Sequence, residues 1–464
     1  MPDAQTIDAL AGIDVDTLRD WVETQRWYAS KSRHVTSVEL VESATVREEP
    51  PRLVIALLQT GFATGTHELY QLPVGVRPAG EDGPGTITET DQWTLYDALS
   101  VPGHGRDLLR QIDAQSEIAT EEGLFSFHRA NGVLDLGDEP DVRPMGVEQS
   151  NSSLVFADRL AMKVFRKVEP GLNPELEMLR FLTARGFPNI APLYGWCEYQ
   201  GEALAATLLV TQRFLPDGTG GWELALDEIA TDPDAFLERL GGLGDVTARM
   251  HSVLASDASD PAFSPEEPSE ESLSLLTATL DEDIDRLFSR LPDDERLDSI
   301  RGRGQDVQER LSVLSKIGAG GRMIRTHGDF HLGQTLMTPR GWVILDFEGE
   351  PARPLHERRQ KRSPLRDVAG MLRSFAYVAS AAEMQRGTPA PEGWEERARS
   401  AFLDHYLESV EANLLPMGEA AVANLLSVFE LEKAVYELRY ELDNRPDWVP
   451  IPVAGIERIL QEEG

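Results

Sequence analysis

Between Ile324 and Pro351 the sequence reads IRTHGDFHLGQTLMTPRGWVILDFEGEP, which sets Asp329, Gln334, Asp346, Glu348 and Glu350 around one turn-strand unit. Thr326-His327-Gly328-Asp329 is followed five residues after the aspartate by Gln334, and the apolar run Trp342 to Leu345 delivers the three later carboxylates. Moving a γ-phosphoryl group needs little covalent help and much positioning and charge neutralisation. One carboxylate must orient the attacking hydroxyl and accept its proton, while a second carboxylate and a further oxygen hold Mg²⁺ on the phosphates. Asp329 suits the first role. Gln334 and Asp346 suit the second, with Glu348 as an extra metal ligand. A structural use, Asp329 capping a turn and Asp346 ending a strand, explains either aspartate alone. It does not explain the glutamine and the DFE triplet at these distances.

HGDFHLGQ, then DFEGEP, then ERRQKRSPLRDVAGMLRSF together resemble the maltokinases, ATP-dependent enzymes that form maltose 1-phosphate within the aminoglycoside-phosphotransferase-like kinase superfamily. Gln334 stands where kinase-like folds usually carry Asn, and Asp346-Phe347-Glu348 where they carry Asp-Phe-Gly. The resemblance implies an α+β, bilobal protein-kinase-like fold. Residues 1–92 would form an N-terminal cap subdomain, 93–212 the remainder of a small nucleotide lobe, and 213–464 a mostly helical C-terminal lobe with the catalytic and sugar sites. It also implies transfer from MgATP to the anomeric hydroxyl of maltose, feeding α-glucan and glycogen synthesis, and a maltose-supplying trehalose synthase as a partner. The glucosamine kinases resemble the same pattern, and an ammonium-bearing sugar would favour a nearby carboxylate such as Glu432 or Asp443. A non-catalytic kinase-like binding protein would usually have lost Asp329, Asp346 or Lys163, and all three are present.

The elements that must position these groups can be read along the chain. Asp14 to Trp27 has apolar residues at helical intervals and runs into QRWYASKSR, which resembles the maltokinase amino-terminal cap. Val38 to Val46, Leu53 to Gln59 and His67 to Val74 are expected as antiparallel strands. Further on, Gln149 to Ser153 is a small-residue turn whose amides and hydroxyls, those of Ser150 and Ser152 among them, could approach phosphates; Leu160 to Phe165 returns as a strand carrying Lys163. By resemblance these are the phosphate-binding hairpin and the lysine strand of kinase-like enzymes. A helix then opens at Pro174, where proline suits the first helical position. Glu177 on it is the expected partner of Lys163, ahead of Glu175. Gln212 to Phe214 would be the hinge whose backbone meets adenine.

In the second half, Leu240 to Leu254 reads as a buried helix with His251 as a core histidine, and Ser256 to Glu271 as an exposed insertion. HERRQKRSPLRD is the densest basic cluster, readable equally as a positive rim near the transferred phosphate or as a patch offsetting neighbouring carboxylates. Asp367 would cap the helix that follows. In FELEKAVYELRYELDNRPDWVPIP, Glu432, Tyr436 and Tyr440 are spaced by four and share a helix face, and Trp448 follows in a Pro-flanked turn. Sugars bind through an aromatic face against C–H groups and polar side chains against hydroxyls. The segment resembles the maltokinase sugar pocket, which implies Tyr436, Tyr440, Asn444, Arg445 and Trp448 as substrate-binding residues.

Composition bounds the rest. With 464 residues and 41% hydrophobic content the chain can build more than one core. A net charge of −35 argues against nucleic acid and anionic membranes as partners, so ATP must meet local positive charge. Only six of the 44 cationic residues are lysine, which makes each lysine informative. Cys197 is the single cysteine and excludes an internal disulfide. The acidic MPDAQTIDALAG start lacks the basic-then-apolar pattern of a secretory signal, so a cytoplasmic location is expected.

Overall fold

Strand β2 (Arg52–Phe62) shows how the first half of the chain is organised. Leu53, Ile55 and Leu57 enter one core with Leu108, Phe125, Leu154 and Met162, whereas Val54, Ala56 and Leu58 enter another with Trp27, Tyr28 and Tyr70. Successive strand residues face opposite ways, so a strand covered on both sides reads as the unbroken apolar run LVIALL. The computed structural model describes residues 15–28, 30–130, 134–146, 150–202, 204–315 and 320–461. MPDAQTIDALAG and Gln149 lie outside them.

Around β2 lies an antiparallel sheet of β1 (Val35–Arg47), β2, β3 (His67–Pro78), β5 (Trp93–Asp97) and β4 (Thr86–Glu89), in that order. The three long strands fall where the sequence places them. Because β5 pairs inside this sheet, the sheet continues past the expected division at residue 92. β6 (Glu117–Ala119), β7 (Gly123–Arg129), β8 (Val142–Pro144), β9 (Asn151–Phe156) and β10 (Leu160–Phe165) belong to a second sheet, while β11 (Lys167–Val168) pairs with β3. With β12 (Leu193–Gly201) and β13 (Ala205–Arg213) the second sheet runs β6-β7-β12-β13-β10-β9-β8. The two sheets share a core, and Met1–Thr183 with Ala191–Pro216 forms one compact unit. Cys197 is fully buried there, and burial pushes its thiol pKa well up.

The second unit, Ala184–Ile190 with Asp217–Gly464, is helical. Its only sheet among the described residues is small: β14 (Thr219–Gly220), β15 (Thr335–Thr338) and β16 (Gly341–Ile344). The helix Pro233–Leu254 packs on Trp394–Ser409, and Leu365–Arg386 packs on Glu419–Asn444. A core of Leu280, Ile284, Val428, Leu431, Val435, Leu438 and Ile456 ties the last helices to Glu270–Phe288. The stretch from Ser256 is more integrated than its composition suggests: Phe263 is buried, and Glu266 exchanges backbone hydrogen bonds with Met323 at 2.9 and 2.8 Å. No described helix is long and apolar enough to cross a membrane.

Candidate active site

The loop before Asp329 is held from below by Asp367. The N–H of His327 donates to Asp367 Oδ2 at 2.7 Å and that of Gly328 to Oδ1 at 3.0 Å. His251 Nε2 stands 3.1 Å from the same carboxylate, and its Nδ1 stands 2.9 Å from the Tyr406 hydroxyl. All three side chains are buried. His251 is thus a core histidine, but the Asp367 carboxylate serves the loop and not the start of its own helix. Burial would raise the Asp367 pKa; the hydrogen bond and charge of His251, with His327 and the Gly328 amide, bring it below the usual carboxylate value.

The HGD triplet divides its work. His327 Nε2 donates to the Leu345 carbonyl at 2.8 Å, which leaves Nδ1 to accept from the Asp329 amide at 3.4 Å. Its ring lies 5.2 Å from that of Phe330 and 5.0 Å from that of Phe347. Gly328 turns the chain at φ +87°, where an added Cβ would come within 3.3 Å of Gly349 Cα. Asp329 then projects into a cleft of about 1120 Å³, its side chain 22% exposed. Oδ1 lies 3.4 Å from Lys433 Nζ and Oδ2 3.9 Å from His331 Nε2. His331 Nδ1 accepts from the Gly333 amide at 3.0 Å.

The hairpin explains how residues twelve apart meet. β15 and β16 pair Thr335 with Ile344, so the residues flanking them close the hairpin mouth: Leu345 N–H donates to the Gln334 carbonyl at 2.9 Å. Gln334 Nε2 reaches Asp346 Oδ2 at 3.2 Å. Asp346 sits at φ 58°, an uncommon conformation for a residue with a Cβ. Glu348 follows two residues on. An amide oxygen and carboxylates form the hard-oxygen donor set that suits Mg²⁺, so the residues fit the ion.

In the first unit, β10 lies between β9 and β13, and Lys163 pairs in register with Ser153 and Val210. Lys163 Nζ meets Glu175 Oε2 at 2.9 Å, with Glu175 1% exposed. This corrects the sequence ranking, which placed Glu177 first. Asn173 Oδ1 accepts from the Glu175 amide at 2.8 Å and so fixes the start of the helix Pro174–Ala184. The expected Gln149–Ser153 turn is corrected too, because β9 begins at Asn151 and Ser152 Oγ accepts from Arg166 Nε at 2.8 Å. Ser150 precedes the strand, within hydrogen-bond distance of Asn151 Nδ2. At the expected hinge, Gln212 pairs with both Ala161 and Leu193, and the Phe214 amide donates to the Arg159 carbonyl at 2.8 Å.

The five expected sugar residues divide. Tyr436 lines the cleft with Asp329, Glu432 and Lys433. Tyr440, Asn444, Arg445 and Trp448 do not line it and form a separate cluster one turn along the helix. Arg445 lies 5.2 Å from the Tyr440 ring and 5.1 Å from the Trp448 ring, and it bonds Glu441 at 2.9 and 2.6 Å. Trp448 stacks on Tyr377 at 5.8 Å. Asn444 Nδ2 donates to the Tyr440 carbonyl, and the expected extended turn is a 3₁₀ helix, Pro446–Trp448. The sequence reading missed Lys433. Burial lowers its pKa, but Asp329, Glu437 and Glu350 outweigh this and hold it above the ordinary lysine value. The scarcity of lysine was the signal that could have found it.

Residues 141–349 match the phosphotransferase enzyme family. That module contains Lys163, Glu175, Asp329, Gln334 and Asp346, and residues 21–100 match the maltokinase N-terminal cap domain. A glucosamine kinase of Streptacidiphilus jiangxiensis is 26% identical over 74% of this chain and 78% of its own. One from Mycolicibacterium smegmatis is 27% identical over 69% and 80%. A solved glucosamine kinase, in complex with glucosamine, ADP and inorganic phosphate, superposes with a TM-score of 0.72 at 20% identity, covering 99% of this chain and 100% of the other. The fold is therefore the aminoglycoside-phosphotransferase and protein-kinase-like fold, with a sheet-rich amino-terminal part and a helical carboxy-terminal part.

Proposed function

We propose that this chain is an ATP-dependent sugar kinase that phosphorylates maltose at its anomeric hydroxyl. The observation that carries the kinase reading is the Asp329 loop: a carboxylate presented to a cleft from a backbone fixed by Asp367, beside the Gln334–Asp346 pair. Asp329 orients the acceptor hydroxyl and takes its proton as the phosphoryl group arrives. Gln334, Asp346 and Glu348 would hold Mg²⁺, which when bound neutralises charge on the phosphates. Lys163, steadied by Glu175, has the chemistry to hold the non-transferred phosphates, with Ser150 as a further contact.

Two observations favour maltose over a single aminosugar. The Lys433 ammonium beside Asp329 would repel the ammonium of glucosamine, whereas a neutral sugar can accept its hydrogen bonds. Tyr436 lines the cleft with Asp329, and Tyr440, one helical turn or about 6 Å further along, belongs with Trp448 to an aromatic cluster outside the cleft lining, to which the second ring of maltose would extend. The maltokinase-type cap is consistent with this reading. Trehalose synthase, as a source of maltose, is the proposed partner, and a cytoplasmic location is part of the same proposal.

Glucosamine is the second reading, favoured by the names of the curated relatives and by Asp443 on the cleft lining. ADP release with MgATP and each sugar separates the two. Turnover with maltose, and an alkali-stable, acid-labile anomeric phosphate as product, supports the first; turnover with glucosamine alone overturns it and leaves the kinase assignment standing.

A further inference from the structure

The cleft that holds Asp329 carries a charge pattern that proton abstraction and metal binding do not use. Most arginines of this acidic unit sit on carboxylates. Arg353 holds Glu350 at 2.7 Å and Glu357 at 3.4 Å, and Arg366 holds Glu432 at 2.5 Å. Arg290, Arg362 and Arg439 also line the cleft, yet none forms an ion pair within 4.0 Å among the described residues. Arg362 is the most constrained. Its backbone is tied to Ile324 by reciprocal hydrogen bonds of 2.9 and 2.7 Å, on the segment that leads into the Asp329 loop. Its guanidinium donates to Gln360 Oε1 at 3.0 Å. Burial, then the like charges of Arg366 and Arg353, push its pKa down to about 10. It is still charged at neutral pH, in a place where one carboxylate, Glu432, is shared by Arg353 at 3.7 Å and Arg366.

We propose that Arg362, with Arg353 and Arg366, forms an anion subsite in this cleft that takes a phosphomonoester, either of a sugar phosphate or as free phosphate. A guanidinium offers a planar fork of donors that matches phosphate oxygens two at a time. The anion supplies the countercharge that Arg362 lacks and relieves Glu432, which Arg353 and Arg366 share. A sugar phosphate held there shares the cleft with the acceptor and so competes with it. This competition is the regulatory consequence, and its identity as product inhibition rests on the sugar-kinase reading.

The test is calorimetric titration of the full chain, without nucleotide or acceptor sugar, using inorganic phosphate in one arm and maltose 1-phosphate in the other. Arg362→Gln is expected to weaken binding at least about tenfold, the loss of one charge-assisted hydrogen bond. Arg397→Gln, which removes an exposed arginine outside the cleft, should change nothing. Arg366→Lys keeps the charge and loses the fork, and should weaken binding measurably should Arg362→Gln fail to fold. Binding in both arms with tighter maltose 1-phosphate supports a sugar-phosphate site; binding of phosphate alone supports a free-phosphate site. Lack of saturable binding, or equal weakening by Arg397→Gln and Arg362→Gln, overturns the proposal. Neither result depends on turnover, so failure here and failure of the kinase reading are distinguishable.

Discussion

At the Asp329 loop, the polar groups are answered by buried partners from distant elements: Asp367 under two amides, His251 under Asp367, Tyr406 under His251. Along the facing stretch of the helix Glu419–Asn444, the cleft-side groups are long charged chains held by other charged chains at the rim, such as Glu432 between Arg353 and Arg366. The first arrangement fixes one geometry, because a buried amide without an acceptor costs about 1–3 kcal/mol. The second tolerates exchange, because partly exposed ion pairs contribute little and a ligand can replace either partner. On the proposed kinase reading, chemistry and recognition would be separated within one unit: rigidity beneath Asp329, replaceable charge around the acceptor.

The sharpest way to break this contrast is at the base. Asp329→Asn should lower turnover by about 10³ or more while leaving ATP affinity nearly unchanged, because proton acceptance fails and the nucleotide's own contacts remain. Single-turnover kinetics with direct nucleotide titration would check it; near-wild-type turnover would remove Asp329 from the mechanism.

Next in size is the support. Asp367→Asn keeps one acceptor for two amides and should cost about 1–3 kcal/mol in denaturant unfolding, with turnover reduced because the loop loses its fixed position. The pH dependence has a definite sign. A carboxyl whose folded pKa is depressed stabilises above its unfolded value of about 3.9 and loses that contribution as pH falls through the folded value. The stability difference between wild type and Asp367→Asn should therefore be full above about pH 4 and shrink below it. A difference that grows on acidification would contradict this account.

What was legible in the sequence follows from distance along the chain. Asp329, Gln334 and Asp346 lie on one hairpin, so spacing alone could pair them. The choice between Glu175 and Glu177 needed the orientation of a helix in which Pro174 to Leu179 are all buried, so no amphipathic stripe points to the lysine. Ser152 looked like a loop residue because serine favours turns, but strand pairing with β10 turned it onto Arg166. Asp367 and His251 are 116 residues apart, and only folding reveals that they act on one loop.

Lys433 tests whether the replaceable wall recognises sugar. Lys433→Met keeps much of the side chain's length and removes the charge beside Asp329. It should raise the maltose KM about tenfold, the value of one hydrogen bond to a charged group, and reduce discrimination against glucosamine. A loss confined to kcat would instead make Lys433 a partner of the base.

The smallest expected effect is the most specific. Tyr440 is 43% exposed and belongs to the Trp448 cluster, outside the cleft lining that contains Tyr436. Removing its ring by Tyr440→Ala should scarcely alter stability, since little apolar area returns to water. If the aromatic surface one turn beyond Tyr436 receives the second ring of maltose, that variant should raise the maltose KM by about three- to tenfold, the worth of a stacking contact of roughly 1 kcal/mol. Turnover of a monosaccharide acceptor should be unchanged, because its single ring ends at Tyr436. An equal rise in KM for both sugars would place Tyr440 at the first ring, and no rise for maltose would confine its recognition to the Asp329 cleft. The comparison between the two sugars thus measures how far the recognition wall extends along the helix, a length that the rigid loop cannot set.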